Sequence, residues 1–177
     1  MCEYLVGEHI EPNLSWAMAA RSESKLQALK SELGEKAAEI PLIVADSFNE
    51  EALTDLCERT HVVISTVGPF ALYGDLLVKV CAESGTDYCD LTGEAQWIRR
   101  MILKHSEAAK ASGARIVNSC GFDSIPSDLG VKFLQQHAQL NFRNYCDKVR
   151  MRVKSIKGGA SGGTIASGIN IYKEAAA

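Results

Sequence analysis

The chain has 177 residues, 46% of them hydrophobic and 23% charged, with a formal net charge of -3. That length accommodates one good core, or one domain and the start of a second, and mild acidity with scattered Lys and Arg argues against an extended nucleic-acid-binding surface. No apolar run approaches the roughly 18 to 20 residues that span a bilayer, and nothing at the N-terminus resembles a secretory signal, so a cytoplasmic protein is the expectation.

Cysteines at 2, 57, 81, 89, 120 and 146 form no Cys-x-x-Cys pair and have no histidine at zinc-ligand spacing. They read as free thiols, most of them small buried hydrophobes, and no metal site is expected. His9, His61, His105 and His137 are isolated from one another and read as structural or exposed.

Met1 to Ile10 read as the middle of a helix, with Tyr4, Leu5 and Ile10 inward, and Glu11-Pro12-Asn13 as a turn. Leu14 to Ala20 is a short apolar strand ending at Arg21-Ser22. A helix capped by Ser22 or Ser24 follows, with Leu26, Leu29 and Leu33 on one face until Gly34 closes it. Ile40 to Ala45 is the next strand, and residues 49–59 a helix burying Ala52, Leu53, Leu56 and Cys57.

Val62 to Val67 is a continuous apolar run rich in β-branched residues, as expected of a strand covered on both faces in a parallel sheet. It breaks at Gly68-Pro69 and passes into a helix over 71–84, with Leu72, Leu76, Leu77, Val80 and Cys81 as its apolar stripe. Thr86 to Leu91 is a strand. A longer helix through Trp97, Ile98, Met101, Ile102, His105 and Ala109 ends at Gly113; Ala114 to Ser119 is a strand, and Pro126 to Gln139 a helix begun by Ser124 or Ser127. Strand and helix thus alternate through residue 140, the pattern of a doubly wound parallel α/β sheet. Lys148 to Ile156 instead alternates charged and apolar residues, as in a half-exposed antiparallel strand, and Gly158 to Thr164 reads as a flexible turn into a helix. The domains expected are therefore 1–141 and, cut short, 142–177.

In such sheets ligands lie beyond the carboxyl ends of the strands. Arg21, at the end of the first strand, stands where an acid would hold a free ribose and an Arg accommodates a 2′-phosphate; Ser22 and Lys25 add a hydroxyl and a charge. A solvated Arg at a strand end is the plainer reading. Asp46 and Ser47 end the next strand where an adenine would be flanked, or Ser47 or Asn49 caps the helix. Gly68-Pro69 offers backbone that a ligand can approach closely, though a plain turn uses the same residues. Tyr88, Asp90, Thr92, Gly93 and Glu94 follow one strand, and Cys120, Gly121, Phe122, Asp123 and Ser124 the next. Carboxylates there could bind substrate or relay a proton, with Asp90, Glu94 and Asp123 the catalytic candidates. Alternatively, Asp123 and Ser124 cap a helix and Asp90 fixes a loop. A Cys120 nucleophile is the weaker idea, since no base is identifiable.

Trp-Ala-Met-Ala-Ala-Arg-Ser-Glu-Ser-Lys-Leu, Thr-Val-Gly-Pro-Phe-Ala-Leu-Tyr-Gly, Asp-Tyr-Cys-Asp-Leu-Thr-Gly-Glu and Cys-Gly-Phe-Asp-Ser-Ile-Pro-Ser-Asp-Leu-Gly occur in this order, followed by Gly-Gly-Ala-Ser-Gly-Gly-Thr. Together they resemble the saccharopine dehydrogenase-like oxidoreductases, which include the trans-acting enoyl reductases. The resemblance implies a Rossmann domain for NADP(H), with Arg21, Ser22, Lys25, Asp46, Ser47, Thr66, Val67, Gly68, Pro69 and Tyr73 around the cofactor, and a second domain completing a cleft for a small-molecule substrate. The opening strand and glycine loop of that family are not found ahead of Met1–Ile10, so an internal fragment of a longer enzyme, itself inactive, is expected. A homodimer through the second domain is consistent with this reading. The competing reading is a non-catalytic dinucleotide-binding or interaction module at a membrane or lipid surface.

Overall fold

The computed structural model describes residues 1–7, 14–159 and 161–175. In chain order the elements are α1 (Cys2–Leu5), β1 (Met18–Ala20), α2 (Glu23–Leu33), β2 (Leu42–Val44), α3 (Glu50–Glu58), β3 (Val62–Ser65), α4 (Phe70–Tyr73), α5 (Asp75–Ser84), β4 (Asp87–Asp90), α6 (Ala95–Ser112), β5 (Ile116–Val117), α7 (Ile125–Phe142) and α8 (Gly162–Ala175). The alternation follows local chemistry. Ser22 accepts the Lys25 amide and Asn49 the Ala52 amide, starting α2 and α3, while Gly34, Gly85 and Gly113 close α2, α5 and α6 with positive φ.

All strand pairing is parallel. β1 pairs with β2, Met18 opposite Leu42, and β4 lies between β3 and β5, with Ser65 opposite Asp90 and Cys89 opposite Val117. The two ladders, β2-β1 and β3-β4-β5, are not paired with each other among the described residues. They match positions 3-2 and 4-5-6 of the doubly wound order 3-2-1-4-5-6, leaving the central position without a described strand. Val62 and Ile64 of β3 are accordingly about half exposed, at 48% and 51%.

The core has two parts. Leu53, Leu56, Cys57, Phe70, Val78, Val80, Cys81, Tyr88, Trp97 and Met101 fill the space between α3, α5, α6 and the second ladder. Met18, Leu26, Ala37 and Ile40 form the smaller one, with Cys2 and Val6 packed against it. Spaced i, i+4, these two residues face inward, and Tyr4 stands in solvent, contrary to the inward reading of Tyr4. His9, Ile10 and the 11–13 turn lie outside the described residues.

Two further expectations change. The helix over 71–84 is broken at Gly74 into α4 and α5, and Leu72 is exposed while Val78 and Ala82 carry the buried face. A Cβ on Gly74 would stand 2.6 Å from Trp97 Cζ2 and 2.8 Å from the Phe70 carbonyl oxygen, so only glycine lets the fully buried indole cross there. Lys148 to Ile156 forms no strand, because no described segment pairs with its backbone. The cysteines are free, as expected.

At the opposite end of the second ladder, Asp87 accepts the Arg115 amide at 2.8 Å and Arg115 Nε at 2.8 Å, with Nη2 also donating. The guanidinium, reinforced by the Arg115 amide, holds the Asp87 carboxyl below its usual range. Two outcomes follow. Gly74→Ala lowers unfolding free energy by about 1–3 kcal/mol through overpacking against Trp97, read by urea denaturation. The stability difference between the wild type and Asp87→Asn is constant above about pH 5 and shrinks below about pH 4, because a depressed carboxyl contributes above its unfolded value and loses that contribution as pH falls through its folded one.

Candidate functional site at the carboxyl edge of the strands

Every sequence-predicted site residue follows the carboxyl end of one of the parallel strands. After β1, Arg21 and Lys25 are exposed and carry no ion pair among the described residues. Ser22 Oγ, 3.0 Å from Ser24 Oγ, is held at the α2 N-terminus. After β2, Asp46 Oδ1 accepts the Phe48 amide at 2.9 Å, tightening the turn, while Asn49 rather than Ser47 caps α3. Phe48 meets the Tyr73 ring edge-on at 5.8 Å, which brings the first ladder's edge against α4.

After β3, Thr66 and Val67 are exposed and Pro69, joined to Gly68 by a cis peptide, is buried. The next two amides have a defined destination. Phe70 N–H donates to Glu94 Oε1 at 2.8 Å and Ala71 N–H to Oε2 at 2.9 Å. Ser167 Oγ of α8 donates to Oε1 at 2.9 Å. Glu94 is only 2% exposed, and its carboxylate is placed by the Thr92 hydroxyl accepting the Glu94 amide at 3.1 Å. A buried carboxylate is tolerated when its lone pairs face donors, and here they do.

Asp90 is saturated in the same way. Its Oδ1 accepts the Thr92 and Ser119 amides at 3.0 and 2.9 Å, and its Oδ2 accepts Tyr88 Oη at 3.0 Å and Asn118 Nδ2 at 2.7 Å. Burial first, and the Asp90 charge second, push the Tyr88 phenol far above its ordinary value, so it stays a donor. Ser119 adopts φ 59°, a left-handed conformation unusual for a residue with a Cβ, and is held there by Asp90 and by its own hydroxyl donating to the Thr92 carbonyl at 2.8 Å. Asp123, by contrast, is exposed on the loop before α7, and its carboxylate has no partner among the described residues.

The edge brings Asp90, Thr92, Glu94, Asn118, Ser119 and the 68–71 turn into one hydrogen-bonded frame, with Arg21 and Lys25 at its β1 end. Asn118, Ser119 and Ser167 are functional-edge residues that sequence reasoning missed. The sequence reading makes the first two the last residues of the strand Ala114 to Ser119, which in the structure ends at Val117; Ser167 carries no signal, because its partner is 73 residues away. Two concavities are present, one of about 260 Å³ lined by Val78, Met101, His105, Ile116 and the frame residue Asn118, and one of about 530 Å³ lined by Val6, Trp16, Lys36 and Pro41. Neither is lined by Arg21, Gly68, Glu94 or Asp123.

The arrangement fits part of an NADP(H) molecule. Two unpaired cations and a hydroxyl with no facing carboxylate suit a ribose 2′-phosphate. No glycine-rich strand-to-helix loop reaches the edge among the described residues.

Residues 3–117 match the saccharopine dehydrogenase NADP binding domain family. A trans-acting enoyl reductase of Mycobacterium ulcerans is 40% identical over 175 residues, covering 97% of this chain and 41% of that protein. A lipid droplet localized protein of Caenorhabditis elegans is 42% identical over 145 residues, 78% of this chain and 34% of that one. The chain thus spans about two fifths or less of these relatives' length. Apo histidine-tagged saccharopine dehydrogenase (L-Glu forming) from Saccharomyces cerevisiae shares the fold, with a TM-score of 0.51 at 21% identity over 71% of this chain and 26% of that one. With the parallel strand order and the matched residues in agreement, the chain belongs to the saccharopine dehydrogenase NADP binding domain family and is an NADP(H)-binding domain.

Proposed function

We propose that the chain is the cofactor-binding part of a cytoplasmic NADP(H)-dependent reductase whose small-molecule substrate is an enoyl group, an activated carbon–carbon double bond. The name of the mycobacterial relative supports the substrate class. The observation that carries the cofactor end is the β1 terminus, where Arg21 and Lys25 stand unpaired with Ser22 between them. Bound NADPH supplies the hydride. The chain's own residues do the rest: Arg21 and Lys25 neutralise the 2′-phosphate, Ser22 donates to it, and Asp46, Ser47 and Tyr73 flank the nucleoside. Thr66, Val67 and Gly68-Pro69 present backbone beside the dinucleotide. Residues 142–177 begin the substrate-side domain.

The three candidate carboxylates divide by environment. Asp90 and Glu94 have their oxygens committed to donors and act by holding the edge in shape. Asp123 is free to take up or deliver the proton that accompanies hydride addition. The second reading, a non-catalytic module at a lipid surface, draws support from the relative named for lipid droplets and from the commitment of those two carboxylates. No helix among the described residues is long and apolar enough to cross a membrane.

The full-length protein binds NADPH more tightly than NADH by at least about tenfold, and Arg21→Ala removes most of that preference, as isothermal titration with both cofactors would show. Equal affinity in the wild type overturns the assignment. Oxidation of NADPH by enoyl thioesters rejects the non-catalytic reading. Asp123→Asn lowers turnover by about 100-fold with unchanged thermal stability, whereas Asp90→Ala destabilises by about 3 kcal/mol or more in urea unfolding because four donors lose their acceptor.

A further inference from the structure

Buried Glu94 has one tie that neither the turn nor the strands require. Its Oε1 is shared by the Phe70 amide and by Ser167, while the two amides alone already hold the 68–71 turn through both carboxylate oxygens. Ser167 lies in the middle of α8, whose apolar residues Ile165, Ile169 and Tyr172 are 56%, 52% and 78% exposed. Ala166 and Ile171 are partly buried, so apolar burial holds this helix only in part. Gly68 borders the contact: a Cβ there would stand 3.3 Å from Ser167 Oγ and 3.4 Å from Phe70 Cε2, close enough to press on the hydroxyl.

We propose that Ser167 is a positioning residue that fastens α8 to the 68–71 turn through Glu94, and so sets the distance between the cofactor edge and the substrate-side chain that α8 opens. The catalytic consequence rests on the reductase reading above; the mechanical tie does not. Reacting groups held by two bodies lose rate steeply when their separation drifts by about 1 Å, so one hydrogen bond between those bodies has leverage on turnover. Because the turn keeps both of its amide bonds when the hydroxyl is removed, cofactor affinity is spared.

The test uses the full-length protein with Ser167→Ala, Ser167→Thr and Gly68→Ala, read by amide hydrogen exchange, NADPH titration and steady-state kinetics on an enoyl thioester. Ser167→Ala speeds exchange across residues 162–173 by about tenfold and leaves 62–73 within about twofold, consistent with loss of one charge-assisted bond. NADPH affinity stays within about twofold while kcat falls about tenfold or more, and Ser167→Thr, which restores the hydroxyl, recovers both α8 protection and turnover. Gly68→Ala loosens α8 in the wild type and loosens it no further in the Ser167→Ala background. Unchanged α8 exchange, equal loss of protection in α5 and α6, or a loosened α8 with unaltered turnover overturns the proposal. A wild-type protein that binds no NADPH refutes the cofactor reading instead, and the exchange comparison still decides whether the tie exists.

Discussion

A carboxylate taken out of water has to find a donor for each lone pair or lose its charge, and this requirement organises the functional edge. Glu94 and Asp90, each 2% exposed, are the two places where it applies. Glu94 draws the amides after Gly68-Pro69 toward itself and thereby fixes where β3 turns into α4. Asp90 draws in Tyr88, Thr92, Asn118 and Ser119, tying the end of β4 to the end of β5. Each carboxylate joins segments more than twenty residues apart, Phe70 to Glu94 and Asp90 to Asn118. The exposed residues Arg21, Thr66, Val67 and Asp123 lie around the rim that these bonds tie together.

That requirement also explains which parts of the site could be read from the chain. Ser22 at a helix start, Arg21 at a strand end and the Gly68-Pro69 break are local signals, legible because capping and turn chemistry act over three or four residues. The roles of Asp90 and Glu94 were not legible in the same way. A carboxylate after a strand looks alike whether it faces substrate or faces amides, and only the packing of α6 against α4 decides for Glu94. Periodicity located the helices well, but it ran 71–84 together because the break at Gly74 comes from a tertiary contact, the Trp97 indole, that no local pattern encodes. The alternation in 148–156 suggested a strand; strand structure needs a neighbour, and sequence pattern says nothing of whether one is at hand.

The division of the strands into two ladders has a counterpart in exposure. Val44, Val62, Ile64 and Val117 are all between 48% and 52% exposed, although a sheet covered on both faces would bury them. β1 and β3 are the strands that border the central position of the doubly wound order, and neither is paired across it. What holds the ladders together instead is side-chain packing: Ile43 and Ala45 against the larger core, and Phe48 against Tyr73 at the edge. The dinucleotide edge is thus continuous in its residues even where the backbone ladder is not.

This bears on how a dinucleotide can be recognised here. An anion on a helix N-terminus needs free amides, and the N-terminal amides of α4 are already spent on Glu94, a built-in anion. On the described edge the exposed cations that carry no ion pair are Arg21 and Lys25, the residues that the proposed reading sets against the phosphate. A guanidinium can hold phosphate through paired N–H donors, a geometry that an ammonium cannot reproduce, so the proposed reading assigns the discrimination to Arg21 rather than Lys25. Glu94 contributes to the same selection by a different route. With its first amides donating to Glu94, the α4 N-terminus presents no competing anion site, which on the proposed reading leaves the β1 end for a 2′-phosphate.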